Sequence, residues 1–322
     1  MIYRQLGRTG EKVSAVGVGT GGLDPMGLKS GRTEAEMGEY LRAASDLGIN
    51  LFDTSPGYGD GRSERILGTA AKDIGRDRVL LSTKMALAGS MPGEPTQFMR
   101  PEEVGPALDG SLQRLQTDYI DVMLMAVADV PEAFGTVTDD IMPELLRLKD
   151  QGKIRFVGSS EQTRSDGAHV WLRYVLPFDH VDVAMVGHNM LNQSAARTVF
   201  PLCREEDIGA LNIFTVRNLF CNLPRLKEVL ADLKARGVIS QDAVSDESPL
   251  SWLLEEGECA SLVEAAYRYA AYTEGISAVM CGAIFQDQLE DDIAYIEKGP
   301  LPAAALQRLR DIFGHIDEPM GN

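Results

Sequence analysis

The sequence predicts an α/β fold: a closed (β/α)8 TIM barrel preceded by an N-terminal β-hairpin. Three observations carry that expectation. Short apolar runs begin near residues 16, 51, 79, 120, 154, 181, 209 and 278, which makes eight candidate strands. A helical stretch follows each, and repeated β-then-α units of this number favour a closed parallel barrel over an open doubly wound sheet. The length of 322 residues, 44% hydrophobic and 25% charged, suits a single barrel domain over 1–322 with a sizeable core.

The elements follow in order. Residues 3–6 and 12–15 flank Gly7-Arg8-Thr9-Gly10-Glu11, a hairpin signal. Residues 16–19 form the first barrel strand. Residues 34–47 carry apolar side chains at helical spacing and stop at Gly48-Ile49-Asn50, where the glycine suits a C-cap. A strand at 51–52 leads to a helix over 63–74, with Ser63 placed as N-cap. A strand over 79–83 is ended by Lys84, and a helix over 102–115 and a strand over 119–125 come next. A helix over 142–151 ends at Gly152, before the strand 154–158. His169 and His180 belong to the fifth helix and its exit loop, away from the rim, in structural roles. Strands at 181–186 and 209–214 enclose a helix over 195–206. The spacing lengthens only between 215 and 262, with a helical run over 225–236 and an acidic, Ser-rich stretch over 240–251. This is expected to be a βα insertion over the barrel mouth, with Trp252 a lid contact. A helix over 262–274, a strand over 278–281, helices over 286–297 and 303–312, and a frayed tail from 317 complete the chain.

Composition narrows the function classes. A formal net charge of −17 and a pI near 4.7 repel phosphate backbones and anionic membranes, so no nucleic acid and no membrane partner is expected. Cys203, Cys221, Cys259 and Cys281 lie far apart with no CxxC pair, as in reduced cytoplasmic proteins. With 4 histidines and none at ligand spacing, no metal site is expected. No uncharged apolar run reaches membrane-spanning length and the first residues lack an apolar leader, so a cytoplasmic location is expected. Nothing in the sequence sets an oligomeric state.

Candidate chemistry concentrates in Leu51-Phe52-Asp53-Thr54-Ser55-Pro56-Gly57-Tyr58-Gly59 and Leu80-Leu81-Ser82-Thr83-Lys84. A Lys buried between an Asp and a Tyr is held charged by the carboxylate and stabilises a phenolate. The Tyr can then pass a proton near neutral pH. In such barrels the chemistry sits at the C-terminal ends of the strands. Asp53, Tyr58, Lys84, Ala126, Ser159, Ser160 and His188 all fall at or just beyond those ends, on one rim. Asp53 and Lys84 also suit a purely structural buried pair. His188 is a candidate acid or base, or a packed loop residue. Arg217 suits a pyrophosphate or carboxylate, or a surface ion pair. Met85, Met91, Met123, Met125, Met185 and Met190 suit gap-filling core or an apolar substrate pocket.

Several stretches resemble the aldo-keto reductase family: Tyr3-Arg4-Gln5-Leu6-Gly7-Arg8-Thr9-Gly10 at the hairpin, Gly19-Thr20 on the first strand, Gly68 on the second helix, Gly152-Lys153-Ile154-Arg155-Phe156-Val157-Gly158 before the fifth strand, and Gln288-Leu289-Glu290 on a late helix. The resemblance implies catalytic Asp53, Tyr58 and Lys84, with Tyr58 protonating a carbonyl oxygen as a nicotinamide delivers hydride. It implies NAD(P)H as cofactor, bound by Gly19, Thr20, Asp53, Ser160, Asn189, Thr215, Arg217, Gly282, Gln288 and Asp292. Departures stand beside the matches. The family's fourth catalytic residue, a His, aligns with Ala126, and His188 is the expected substitute. The family's Ser-Asn grip on the nicotinamide carboxamide becomes Ser160-Glu161, and its strand-six Gln becomes Met185. The loop covering the pyrophosphate reads Phe214-Thr215-Val216-Arg217. The segment that usually carries a basic residue for the 2′-phosphate of NADP reads Gly282-Ala283-Ile284-Phe285-Gln286-Asp287-Gln288-Leu289-Glu290-Asp291-Asp292, with acids in place of cations. NADH is therefore expected over NADPH. The implied activity is oxidoreduction, interconverting a small carbonyl compound or sugar with its alcohol. The alternative is a redox-neutral lyase, isomerase or dehydratase in which Tyr58 and Lys84 move protons without a nicotinamide.

Overall fold

The computed structural model describes residues 1–22, 24–89, 97–127, 130–161 and 166–320. Strands β1 (Tyr3–Gln5) and β2 (Lys12–Ser14) pair antiparallel, with Tyr3 opposite Ser14. Leu6 and Val13 of this hairpin are fully buried in one cluster with Leu51, Leu80, Val122, Val183 and Leu211 from the barrel interior. The Arg8 backbone N–H donates to the Asp207 carbonyl at 2.6 Å. The hairpin thus plugs the N-terminal end of the barrel, opposite the end where such barrels place their chemistry.

The barrel strands are β3 (Val16–Gly19), β4 (Leu51–Asp53), β5 (Leu80–Gly89), β7 (Ile120–Val127), β8 (Ile154–Glu161), β9 (Val183–Gly187), β10 (Gly209–Ile213) and β11 (Ile276–Cys281), with β6 (Gln97–Phe98) outside them. They pair in parallel in chain order, and β11 returns to β3 with Val279 opposite Val16, which closes the ring. Lys84 does not end its strand. Parallel pairing with β7 carries β5 past the expected boundary as far as Ala88 opposite Val127, and β6 adds antiparallel to its tip.

Outside lie α1 (Glu34–Asp46), α2 (Arg62–Ile74), α3 (Pro101–Leu115), α4 (Pro131–Thr136), α5 (Met142–Asp150), α6 (Val170–Val175), α7 (Ser194–Thr198), α8 (Phe200–Glu205), α9 (Leu223–Ala235), α10 (Trp252–Glu255), α11 (Leu262–Ala271), α12 (Gln286–Glu297) and α13 (Ala303–Phe313). A capping box of Thr33 and Glu36 opens α1, and Gly48 at φ 95° follows its end as expected. Gly68 lets α2 approach α3: a Cβ there would stand 2.4 Å from the Leu115 carbonyl oxygen.

Four boundaries differ from expectation. Ser63 is not the N-cap of α2. Gly61, in the left-handed region, precedes the helix, and the Ser63 hydroxyl donates instead to the Thr20 carbonyl at 3.4 Å. The helix expected over 195–206 is two, α7 and α8, because Pro201 has no N–H to continue the ladder. A helical stretch ahead of α5 begins at Pro131 and widens into a π-turn over Val137–Ile141, where the Thr138 hydroxyl bonds back to the Phe134 carbonyl. The tail is not frayed through residue 320. Met320 is buried, Arg197 pairs with Asp317, and Arg236 with Glu318.

The 215–262 segment joins Met190, Leu191, α11 and α13 in an apolar cluster beside the rim. Trp252 is no lid contact, for the Arg308 guanidinium stacks on it 4.2 Å from the ring centroid. Arg268, 5% exposed, pairs with Glu264 and donates to the carbonyls of Gly257, Glu258, Gly299 and Pro300. It ties the inserted segment to the loop before α13. Among the described residues no helix is long and apolar enough to cross a membrane. Arg268→Met strands these acceptors in a buried site, and urea unfolding is expected to show a loss of about 3–5 kcal/mol.

Candidate active site

Asp53 ends β4, and the alternation that turns Leu51 and Leu80 into the barrel also turns Asp53, Ser82 and Lys84 inward. The Lys84 Nζ donates to Asp53 Oδ2 at 2.5 Å and to the Thr54 carbonyl at 3.1 Å. The Ser82 hydroxyl donates to Asp53 Oδ1 at 3.0 Å. The ammonium stands 5.0 Å from the centroid of the Tyr58 ring. Burial works against the Lys84 charge, but Asp53 and then Tyr58 outweigh it, so Lys84 titrates above the usual lysine range. Gly19, Tyr58, Lys84, Ala126 and Ile213 are half-buried beside fully buried strand neighbours, and so outline an opening onto this pair. Thr20 is fastened to the same strand end, its N–H and hydroxyl both donating to the Asp53 carbonyl, at 2.9 and 3.0 Å.

Ala126 and Ser160 are register neighbours on β7 and β8, with Met185 next on β9. All three lie on the inward face, in phase with Val122, Leu124 and Val183. Ser160 thus brings a hydroxyl next to the Ala126 methyl. Met85, Met123 and Met125 fill the outer core, and Met190 joins the cluster under the inserted segment. Met91 lies outside the described residues.

Glu161 turns away from the opening. Its Oε1 accepts from the Gly187 N–H at 2.7 Å and its Oε2 meets His169 Nδ1 at 2.6 Å. His169 Nε2 meets the Ser194 hydroxyl at 2.7 Å. That hydroxyl also lies 2.8 Å from the Gly167 carbonyl and 2.5 Å from Asn192 Oδ1, which accepts from the Ser194 N–H. One hydroxyl hydrogen already faces two acceptors, so the ring donates from Nε2, and one proton is shared between Nδ1 and Glu161 Oε2. Both side chains of this Glu161–His169 pair are fully buried. Burial pushes Glu161 up and His169 pulls it back. His169, expected far from the rim, stands directly behind the end of β8.

His188 is not where catalysis needs it. Its ring leaves the rim outward, stacked on Tyr269 with centroids 5.2 Å apart and edge-on to Phe200, with Nε2 3.2 Å from the Thr273 hydroxyl. It is fully buried, and burial followed by the His169 charge pushes it down to about 3. Such a group transfers no proton to a substrate in the barrel, and His188 leaves the catalytic set.

The expected cofactor residues divide. Asn189 is occupied in its own turn, accepting from the N–H groups of Leu191 and Asn192. Thr215 accepts from Asn212 at 2.8 Å. Phe214 and Arg217 both hold left-handed backbone, φ 68° and 51°, and the guanidinium lies 3.3 Å from the Phe214 ring centroid. Strained non-glycine residues of this kind gather at ligand sites. Gly282 and Gln288 are exposed at the start of α12. Asp292 is buried, its Oδ2 2.7 Å from the Cys281 thiol, while Asp287 and Asp291 face solvent. Asp292 is therefore no surface acid against a phosphate. One cation was missed because it comes from another loop. Arg32 stacks 5.1 Å from the centroid of Phe285, the residue before α12, and its Nη1 is buried with no hydrogen-bond partner among the described residues. An orphaned guanidinium nitrogen beside a helix N-terminus fits an anionic group of a dinucleotide. Of Ser160, Glu161 and Met185, only Ser160 brings a polar side chain to the inward face.

The aldo/keto reductase family model matches residues 15–313. This chain belongs to that family. It is 29% identical over 310 residues to the L-galactose dehydrogenase of Arabidopsis thaliana, covering 91% of this chain and 87% of that one. It is 30% identical over 213 residues to the NADH-specific methylglyoxal reductase of Escherichia coli, a match spanning 63% of this chain and 64% of that protein. An aldo/keto reductase from Klebsiella pneumoniae, solved with NADP and acetate, shares the fold at a TM-score of 0.66 with 18% identity, over 98% and 96% of the two chains. Among the described residues no cluster of potential metal ligands occurs.

Two buried groups set opposing pH slopes. Burial raises Asp292 from 3.8 to about 6, against hydrogen bonds from Cys281 and Tyr267. The folded state then binds a proton that the unfolded chain does not. The resulting stability is present below about pH 4 and lost as pH rises through 6. His188 acts the other way. Its contribution is present above 6.5 and lost as pH falls toward 3. Asp292→Asn is expected to gain up to about 3 kcal/mol of stability relative to the wild type between pH 4 and pH 7. It is also expected to expose the full His188 slope, so that melting temperature falls more steeply from pH 6 to 4 than in the wild type. A parallel pair of melting curves against pH checks this.

Proposed function

We propose that this family member reduces a small carbonyl compound or sugar to its alcohol with a nicotinamide cofactor, and acts as one barrel unit in the cytoplasm. The supporting observation is the Lys84 ammonium, held on Asp53 at 2.5 Å and 5.0 Å from the Tyr58 ring at the barrel mouth. The nicotinamide, when bound, supplies hydride. Tyr58 donates the hydroxyl proton to the carbonyl oxygen, Lys84 stabilises the phenolate left behind, and Asp53 keeps Lys84 charged and in place. Ala126 donates nothing, so polarisation of the carbonyl falls to Tyr58 with the Ser160 hydroxyl beside it. Arg217, Gln288 and Arg32 are the groups we assign to the dinucleotide phosphates, and Gly19 and Thr20 to the floor of the nicotinamide pocket. The relative's name, NADH-specific methylglyoxal reductase, supports both the cofactor and the carbonyl class. Four free cysteines suit a reducing compartment.

Calorimetric titration with NADH and NADPH in parallel tests this reading. Micromolar binding of NADH, weaker for NADPH because Asp287 and Asp291 face the solvent, is the expected result; no heat with either cofactor overturns hydride transfer. Tyr58→Phe is expected to bind cofactor as the wild type does while losing at least ~100-fold in kcat across a panel of aldehydes and aldoses. Wild-type turnover in that variant removes Tyr58 from the mechanism.

A further inference from the structure

We propose that Gly21 is a positioning residue for Tyr58, and that the missing side chain at position 21 is the seat in which the phenol rests. A Cβ on Gly21 would stand 2.4 Å from Cζ, 2.5 Å from Cε2 and 2.9 Å from the hydroxyl oxygen of Tyr58. No carbon comes that close to a ring, so any side chain here moves the phenol. The backbone does not require glycine: Gly21 is absent from the left-handed positions, unlike Gly22 beside it at φ 103°. The space for the ring is what the glycine provides.

The seat is tied to the catalytic pair. Thr20, the preceding residue, is anchored to the Asp53 carbonyl through both N–H and hydroxyl. Ser63 donates its hydroxyl to the Thr20 carbonyl at 3.4 Å and its N–H to the Tyr58 carbonyl at 3.3 Å. One short piece of backbone thus locates Asp53, which holds Lys84, and also the ring that Lys84 faces. The separation of ammonium and phenol is set by Thr20-Gly21 rather than by Tyr58's own loop alone.

The proposal rests on Tyr58 as the acid, and its test separates the two. In Gly21→Ala, kcat is expected to fall about 100-fold with little change in KM, the size of effect an ångström of misplacement causes. The pH–rate profile is expected to shift, and the substitution is expected to add no loss in a Tyr58→Phe background. Independently of turnover, fluorotyrosine-labelled protein followed by 19F NMR is expected to show the Tyr58 resonance, assigned by its loss in Tyr58→Phe, displaced and titrating differently in Gly21→Ala. If the wild type reduces no carbonyl but the resonance moves, the reductase reading fails and the seat stands. An unmoved resonance with unchanged titration overturns the seat. Any stability loss in Gly21→Ala is expected to vanish in the Gly21→Ala, Tyr58→Ala double variant, where the clash has no partner; a loss that persists overturns it as well.

Discussion

A lysine taken largely out of water pays a desolvation cost that a carboxylate in contact and a further acceptor must offset. At the mouth of this barrel Asp53 is that carboxylate and the Thr54 carbonyl is that acceptor. The pair also organises its surroundings. Ser82 occupies the second carboxylate oxygen, and Thr20 grips the carbonyl of the same aspartate. Two adjacent strands and the end of a third are locked in register at the place where a phenol must be aimed. Lys84 is more than a surface ion of β5, and the parallel barrel is what allows one residue from each of two neighbouring strands to meet inside it.

Around that pair the site is uneven. The side assigned to proton donation brings Asp53, Lys84 and Tyr58 together. At the positions assigned to a carboxamide, Ser160 faces inward while Glu161 turns to His169 behind the strand. The cations assigned to the phosphates come from parts distant in sequence: Arg217 stacked on Phe214 and Arg32 on Phe285. A protein of net charge −17 needs such local cations to hold an anionic ligand at all, because its overall field opposes one.

The barrel was legible because period and spacing carry it. Eight apolar runs, a glycine after α1 and a hairpin signal are local facts, and each has its counterpart in the fold. Asp53, Tyr58 and Lys84 were legible because their chemistry and their strands point to the same rim. What was not legible depended on the third dimension. His188 lies at a strand end in sequence, but the direction of its ring is set by which face of β9 packs on Tyr269 and Phe200. Arg32 lies far from the segment that usually carries a phosphate cation, and only the closure of β11 on β3 brings the two together. Ser63 has the composition of a cap, yet Gly61 takes the turn and frees its hydroxyl for Thr20. Pro201 was a local signal for the break between α7 and α8, readable from the missing N–H.

The Glu161–His169–Ser194 chain constrains which sequences lie within one substitution of this one. Replacing Glu161 would take from the Gly187 N–H and the His169 ring the buried acceptor they share. Changing His169 first would instead leave a lone carboxylate in the core. Either single change leaves a buried polar partner unmet, so positions 161 and 169 are tied to each other.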